Sequence, residues 1–212
     1  MRFDRVSGRA DLTAFVNLPF TLYRNDPNWV PPLKADVRKL LDRNRHPFYD
    51  NGREAEIELF LARDGRQVVG RIAAVLNHAH NRAHEENIGF FGFFESVNRP
   101  EVANALLTAA EDWARKRDVD VVRGPANPST NYECGLLVDG FDRPPVLMMT
   151  YNPRWYADLI EGAGYAKAKD LYAYFSPVHD DSLPRLQKLA ARAQRRNPGL
   201  TTRSADLKHF DR

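Results

Sequence analysis

The chain has 212 residues, 43% of them hydrophobic, with twelve Phe, eight Tyr and three Trp, enough for one large domain plus an extension. Its 31 Lys and Arg exceed 28 Asp and Glu by only three charges, a mildly basic balance that singles out no partner. The single Cys134 excludes an intrachain disulfide framework and suits a reducing, cytoplasmic setting; no apolar run reaches the ~18 residues of a membrane span, and the opening residues do not read as a signal peptide.

In chain order, "MRFDRVSG" reads as a short strand. "RADLTAFVNLPFTLYRND" begins as a helix with Leu12, Phe15 and Val16 on one face, and Pro19 should break or kink it. After the extended, proline-rich "PNWVPPL", residues 34–43 read as a second helix with Val37, Leu40 and Leu41 buried. "EAEIELFLAR" alternates apolar and acidic residues, Asp64-Gly65 makes a turn, and "QVVGRIAAVLN" returns as the second strand of a hairpin, apolar on both faces and therefore central. "NHAHNRAHEEN" reads as a polar hairpin turn, so its H-x-H-x3-H pattern of His78, His80 and His84 is not expected to bind metal.

The aromatic strand Ile88–Glu95 follows, and then a helix burying Val102, Leu106, Ala109, Ala110 and Trp113. Asn98 and Glu101 have the spacing of a capping box ahead of it. "VDVVRG" is a short strand, "PANPSTNYECGLLVDGFDRPP" an irregular excursion, and "VLMMTY" a strand. "NPRWYADLIEGAG" is a helix closed by glycine, and "YAKAKDLYAYF" a last strand. "LPRLQKLAARAQRR" is a basic helix whose lack of interleaved aromatics or glycines gives no sign of nucleic acid binding. An antiparallel meander followed by alternating strands and helices predicts a mixed α/β sheet with helices on both faces.

This element order, the aromatic fourth strand and the Asn-containing helix of "NPRWYADLIEGAGYAKAKDL", which ends in Gly-aromatic before a strand, resemble the GCN5-related N-acetyltransferase superfamily. The likeness covers roughly residues 1–176 and is strongest to a poorly characterised bacterial branch of larger proteins. The resemblance implies the acyl-CoA N-acyltransferase fold, with a central mixed sheet of six to seven strands. It also implies a bulge in the fourth strand, for which Gly89 and Gly92 are available. Amides of that bulge would hold the pantetheine and thioester, and the next helix N-terminus the pyrophosphate. Phe93, Phe94, Ser96, Val97, Asn98 and Arg99 are then the expected acyl-CoA contacts. The phosphate loop departs from the family's glycine-rich pattern: the nearest register is Arg99-Pro100-Glu101-Val102-Ala103-Asn104, so binding should be weak and salt-sensitive.

Glu95 ends the aromatic strand, on the face of Phe91 and Phe93 by simple alternation, and is the expected general base. The family's tyrosine acid falls at Ile160 here, and Tyr156, one turn earlier on the same face, reads either as its substitute or as a half-buried helix aromatic. In the excursion, Asn127, Ser129, Asn131, Tyr132 and Glu133 concentrate polar groups, with Thr130 among them. They read either as an acceptor site folded over the splayed end of the sheet or as an ordered turn of capping side chains. Cys134 reads as a small buried residue.

The expected organisation is an acyltransferase-like domain over residues 1–176, then a basic linker helix over 177–212. There "LTTRSADLKHFDR" echoes "RFDRVSGRADLTAFV" and suggests the start of a second, truncated repeat. The expected activity is acyl transfer from acyl-CoA to a small amine, with no metal, beside a second such domain or in a homodimer. The alternative is a non-catalytic domain of the same fold that binds a ligand or a second domain.

Overall fold

Strand β2 (Ala55–Asp64) passes through a turn at Gly65, where φ is +59°, into β3 (Gln67–Asn77), as the alternation and the Asp-Gly pair predict. This is the computed structural model of the chain, which describes residues 1–175, 182–199, 201, 203, 204 and 206. β1 (Arg2–Arg5) pairs antiparallel with β2, and β4 (Ile88–Ser96) antiparallel with β3. β5 (Val121–Arg123) lies parallel to β4, so the order is β1-β2-β3-β4-β5 in a mixed sheet. A separate two-stranded ladder joins β6 (Ala126–Asn127) to β7 (Glu133–Cys134). The described residues form two units, Met1–Asp170 and Leu171–Arg212.

Both faces of the sheet are covered. α4 (Pro100–Arg115) buries Val102, Leu106, Ala110 and Trp113 against Ile72, Phe91 and Phe94. α5 (Tyr156–Gly162) adds Tyr156, Leu159 and Ile160 to that layer. On the other face α1 (Arg9–Leu22) sets Phe15 and Val16 against Leu61, Val75, Phe90 and Phe93. Burying side chains of this size is worth about 1.5–3 kcal/mol each, which holds these helices to the sheet.

Several elements differ from expectation. Pro19 lies inside α1 without ending it. A helical proline cannot donate to the carbonyl four residues back, here that of Phe15, and Arg71 Nη1 donates to that oxygen instead at 2.7 Å. The histidine segment is a helix, α3 (His78–His84), because the Asn77 side chain accepts from the His80 N–H at 2.9 Å and Glu85 ends it at a φ of +54°. α4 is capped by Arg99 with no side-chain bond, not by Asn98, because Pro100 already occupies its first turn.

Among the described residues the sheet has five strands, against the six or seven expected. Residues 146–151 and 165–175 carry no strand; β5, at the edge of the sheet, is only three residues long. α2 spans Lys34–Leu40, and in the second unit the basic helix read from the sequence is α6 (Ser182–Arg196). Most of the closing "LTTRSADLKHFDR" lies outside the described residues.

Candidate active site

β4 changes face once. Phe90 and Phe93 join the α1 side while Phe91 and Phe94 join the α4 side, a spacing of three that period-two alternation forbids. The extra residue sits at Phe93, where φ is +48°, and the β3–β4 register slips between Arg71 opposite Glu95 and Ala73 opposite Gly92. Phe91 is therefore not on the face of Phe93 and Glu95, as simple alternation predicts.

Beyond the bulge, Glu95 meets a buried polar cluster. Its Oε2 accepts from Tyr156 Oη at 2.6 Å and from Tyr23 Oη at 2.9 Å, and its Oε1 lies 3.4 Å from Arg71 Nη2. Tyr156 Oη also accepts the Ser96 N–H at 2.9 Å. The Arg71 guanidinium stands 4.9 Å from the Phe15 ring, and Tyr23 stacks on Trp29 at 5.0 Å. The Glu95 and Arg71 side chains are only 12% and 8% exposed.

Burial raises the Glu95 pKa above its ordinary 4.5, against the lowering effects of Arg71, Tyr156 and Tyr23. Burial dominates because Arg71 divides its donors between Phe15 and Glu95 and stands at a long distance from the carboxylate. Burial and the neighbouring carboxylate push both tyrosines up, so their protons stay in the cluster.

A carboxyl whose pKa rises on folding contributes stability below its unfolded value and loses that contribution as pH rises through the folded one. Thermal melts of wild type and Glu95→Gln, compared from pH 4.5 upward, should therefore show a decline in wild type that the variant lacks. Equal slopes would place Glu95 in an ordinary solvated setting. Tyr156→Phe should cost about 1–3 kcal/mol in denaturant unfolding, because the Ser96 N–H is left buried without an acceptor.

Tyr23 and Arg71 are missing from the sequence expectations. Arg71 is the only charge in "VVGRIAAVLN", and Pro19 frees the carbonyl it binds; Tyr23, one residue past α1, carried no local signal.

The amides around the bulge are engaged internally. Phe93 N–H donates to Asn127 Oδ1 at 2.6 Å, Val97 N–H to the Val69 carbonyl at 3.0 Å, and Arg99 N–H to the Val97 carbonyl at 2.7 Å. The Arg99 side chain is held by Asp64 at 2.8 Å and Glu101 at 2.7 Å. Phe94 is buried in the α4-side core, while Asn98 is exposed.

The excursion does fold over the end of the sheet. β4 and β5 pair only as far as Phe90 and Arg123, and Ala126 then crosses Gly92, where an added Cβ would lie 1.7 Å from the Ala126 oxygen. Of the five polar residues expected there, Asn127 touches β4. Ser129 is buried and accepts the Asn131 N–H, Tyr132 packs near His46 and Phe48, and Glu133 is exposed opposite Asn127 in the β6–β7 ladder. Among the described residues no group of His, Cys, Asp and Glu has the makings of a metal site; His78 pairs with Glu56 and His80 with Glu86. A surface hollow of about 580 Å³ lies at the other end of the hairpin, lined by charges such as Arg82 and Arg117 that are already paired.

No family model matches the chain. It is 38% identical over 205 residues to the bacterial ceramide synthase of Caulobacter vibrioides, covering 95% of this chain and 52% of that protein. It is 37% identical over 182 residues to protein YghO of Escherichia coli K12, covering 84% and 45% respectively. The chain thus spans about half the length of these curated relatives. Among solved structures, an aminoglycoside acetyltransferase from an uncultured soil metagenomic sample, in complex with trehalose, superimposes with a TM-score of 0.50 at 15% identity, covering 84% of this chain and 96% of that one. The chain shares the fold of that acetyltransferase, a mixed sheet that here has a bulged fourth strand leading into α4.

Proposed function

We propose that the chain forms the transfer half-site of an acyl-CoA-dependent N-acyltransferase whose acceptor is an amine. The observation that carries this reading is Glu95, a carboxylate set past a strand bulge in a desolvated cage of Tyr23, Tyr156 and Arg71. The amine nitrogen attacks the thioester carbon, the new C–N bond forms as the C–S bond breaks, and the amine proton passes to Glu95, directly or through a water. The departing thiolate takes up a proton, leaving free CoA. Tyr156 holds the carboxylate from one side while gripping the Ser96 amide, so its assigned role shifts from acid to positioning.

The Phe93 amide suits an acyl or pantetheine carbonyl, because a carbonyl oxygen, that of Asn127, already sits 2.6 Å from it. Asn127 must yield for that oxygen to bind there. The ceramide synthase relative suggests the acceptor class: a ceramide is the N-acyl amide of a long-chain amino alcohol, and we take long-chain amines as the first acceptors to test.

A second reading has its own support. The engaged Phe93, Ser96 and Val97 amides and the paired Arg99 favour a non-catalytic domain of this fold that binds a ligand or a second domain. Thiol release from acyl-CoA, followed across short and long amines, separates the two. Amine-dependent release, with the amide found by mass spectrometry, supports transfer; no release with any amine, together with no heat of acyl-CoA binding, leaves the second reading.

A further inference from the structure

Two loops meet beside Tyr23. Asn28 Nδ2 donates to the Phe141 carbonyl at 3.0 Å, Tyr151 Oη donates to the Asp26 carboxylate at 2.8 Å, and the Tyr151 ring lies 6.2 Å from that of Tyr23. The outer side chains of this joined rim are apolar: Val30 and Leu33 on one loop, Val138 and residues 146–149 on the other.

The sequence Val146-Leu147-Met148-Met149 forms a turn, closed by the Met149 N–H on the Val146 carbonyl at 3.0 Å. Its tip residues Leu147 and Met148 are 92% and 52% exposed, and Leu33 is 71% exposed. Met148 has a φ of +67°. Turn tips in water favour Gly, Asn or Asp, above all where φ is positive. The Gly65 turn of the hairpin obeys that rule and the 146–149 turn breaks it, in composition and in backbone. Local rules are broken in this way where a surface does something other than face water.

The loop of Val30 and Leu33 and α2 after it carry more cations than acids, while the other loop carries Asp139, Asp142 and Arg143, the last two paired with each other. Arg24, Lys34, Arg38, Lys39, Arg43 and Arg45 are exposed, and none forms an ion pair among the described residues. The acidic residues of the same stretch are Asp26, bound by Tyr151, together with Asp36 and Asp42. Elsewhere in the first unit arginines such as Arg63, Arg71, Arg99 and Arg117 are paired.

We propose that this rim docks on the surface of an anionic lipid bilayer. The tip at Leu147 and Met148 enters the boundary between headgroups and acyl chains, and the free cations on and around α2 face lipid phosphates. An apolar, strained tip on one loop and cations free of acidic partners on the loop joined to it match the two layers of such a surface. The association is peripheral, since no helix among the described residues is long and apolar enough to cross a membrane. It requires no acyl transfer and goes beyond that reading.

Co-sedimentation with phosphatidylcholine vesicles, with and without phosphatidylglycerol, tests it on the 212-residue chain. The expected result is binding to the anionic vesicles that weakens as salt rises. Leu147→Glu with Met148→Glu should reduce partitioning at least about tenfold, with circular dichroism and melting unchanged because both side chains are exposed. Arg38→Glu with Lys39→Glu should remove the preference for anionic vesicles. Equal binding to neutral and anionic vesicles, or full binding by the tip variant, overturns the proposal. So does binding that survives both variants and is lost in Leu186→Glu on α6, or a lipid-free dimer that the tip variant dissolves.

Discussion

Glu95→Gln is expected to lower kcat for amine acylation by about 10²–10⁴-fold while leaving KM for acyl-CoA within about twofold. On the proposed reading, proton removal from the amine is the step that needs this carboxylate, and the acyl donor contacts other groups. The loss should shrink as pH rises, because more of the amine then arrives already neutral. Stability should fall little at neutral pH, since burial already disfavours the charged carboxylate and Gln, a neutral isostere, still accepts from the tyrosines. Such a stable but inactive variant separates chemistry from folding. A Glu95→Gln protein that turns over like wild type would remove Glu95 from the mechanism and leave its cluster a structural one.

The cluster shows why the site was only partly readable. Glu95 and Tyr156 were marked by element position, one at the end of an aromatic strand and the other on a helix that follows an Asn-Pro. Their meeting at 2.6 Å depends on the bulge at Phe93, and alternation alone placed Phe91 on the wrong face. Arg71 carried a visible signal, a lone charge in an apolar strand, but its anchor is a carbonyl freed by Pro19 on a different element. Tyr23 carried none, because its partner lies 72 residues away. The hairpin, α4 and α5 were legible because turn chemistry and helical spacing act over a few residues. The strands expected at 146–151 and 165–175 failed for the opposite reason: a strand needs an edge, and no local pattern says whether β5 supplies one.

The same distinction governs the largest steric prediction. Gly92→Ala is expected to destabilise the protein by about 3 kcal/mol, the upper end of the cost of overpacking. An added Cβ at Gly92 would stand 1.7 Å from the Ala126 oxygen and 2.7 Å from its carbonyl carbon, and backbone has no flexible end to move aside. Gly89, in the same strand, is the control. Its added Cβ would meet Ala114 Cβ at 3.3 Å and Val119 Cγ1 at 3.4 Å, contacts that a small side-chain shift relieves, so Gly89→Ala should be much milder. The least costly relief for Gly92→Ala is to lift Ala126 and Asn127 away from β4, which also breaks the Asn127 bond to the Phe93 amide. Residues 128–135 should then become open to limited proteolysis while the Glu95 cluster, anchored on α1, β3 and α5, stays intact. If acyl-CoA needs the Phe93 amide free, the detached variant should bind it more tightly than wild type despite being less stable. If the excursion helps to hold the acceptor, the amine KM should rise at the same time. Denaturant unfolding that shows Gly92→Ala as stable as Gly89→Ala would mean that the chain at Ala126 does not cross β4 at Gly92, and both consequences would go with it.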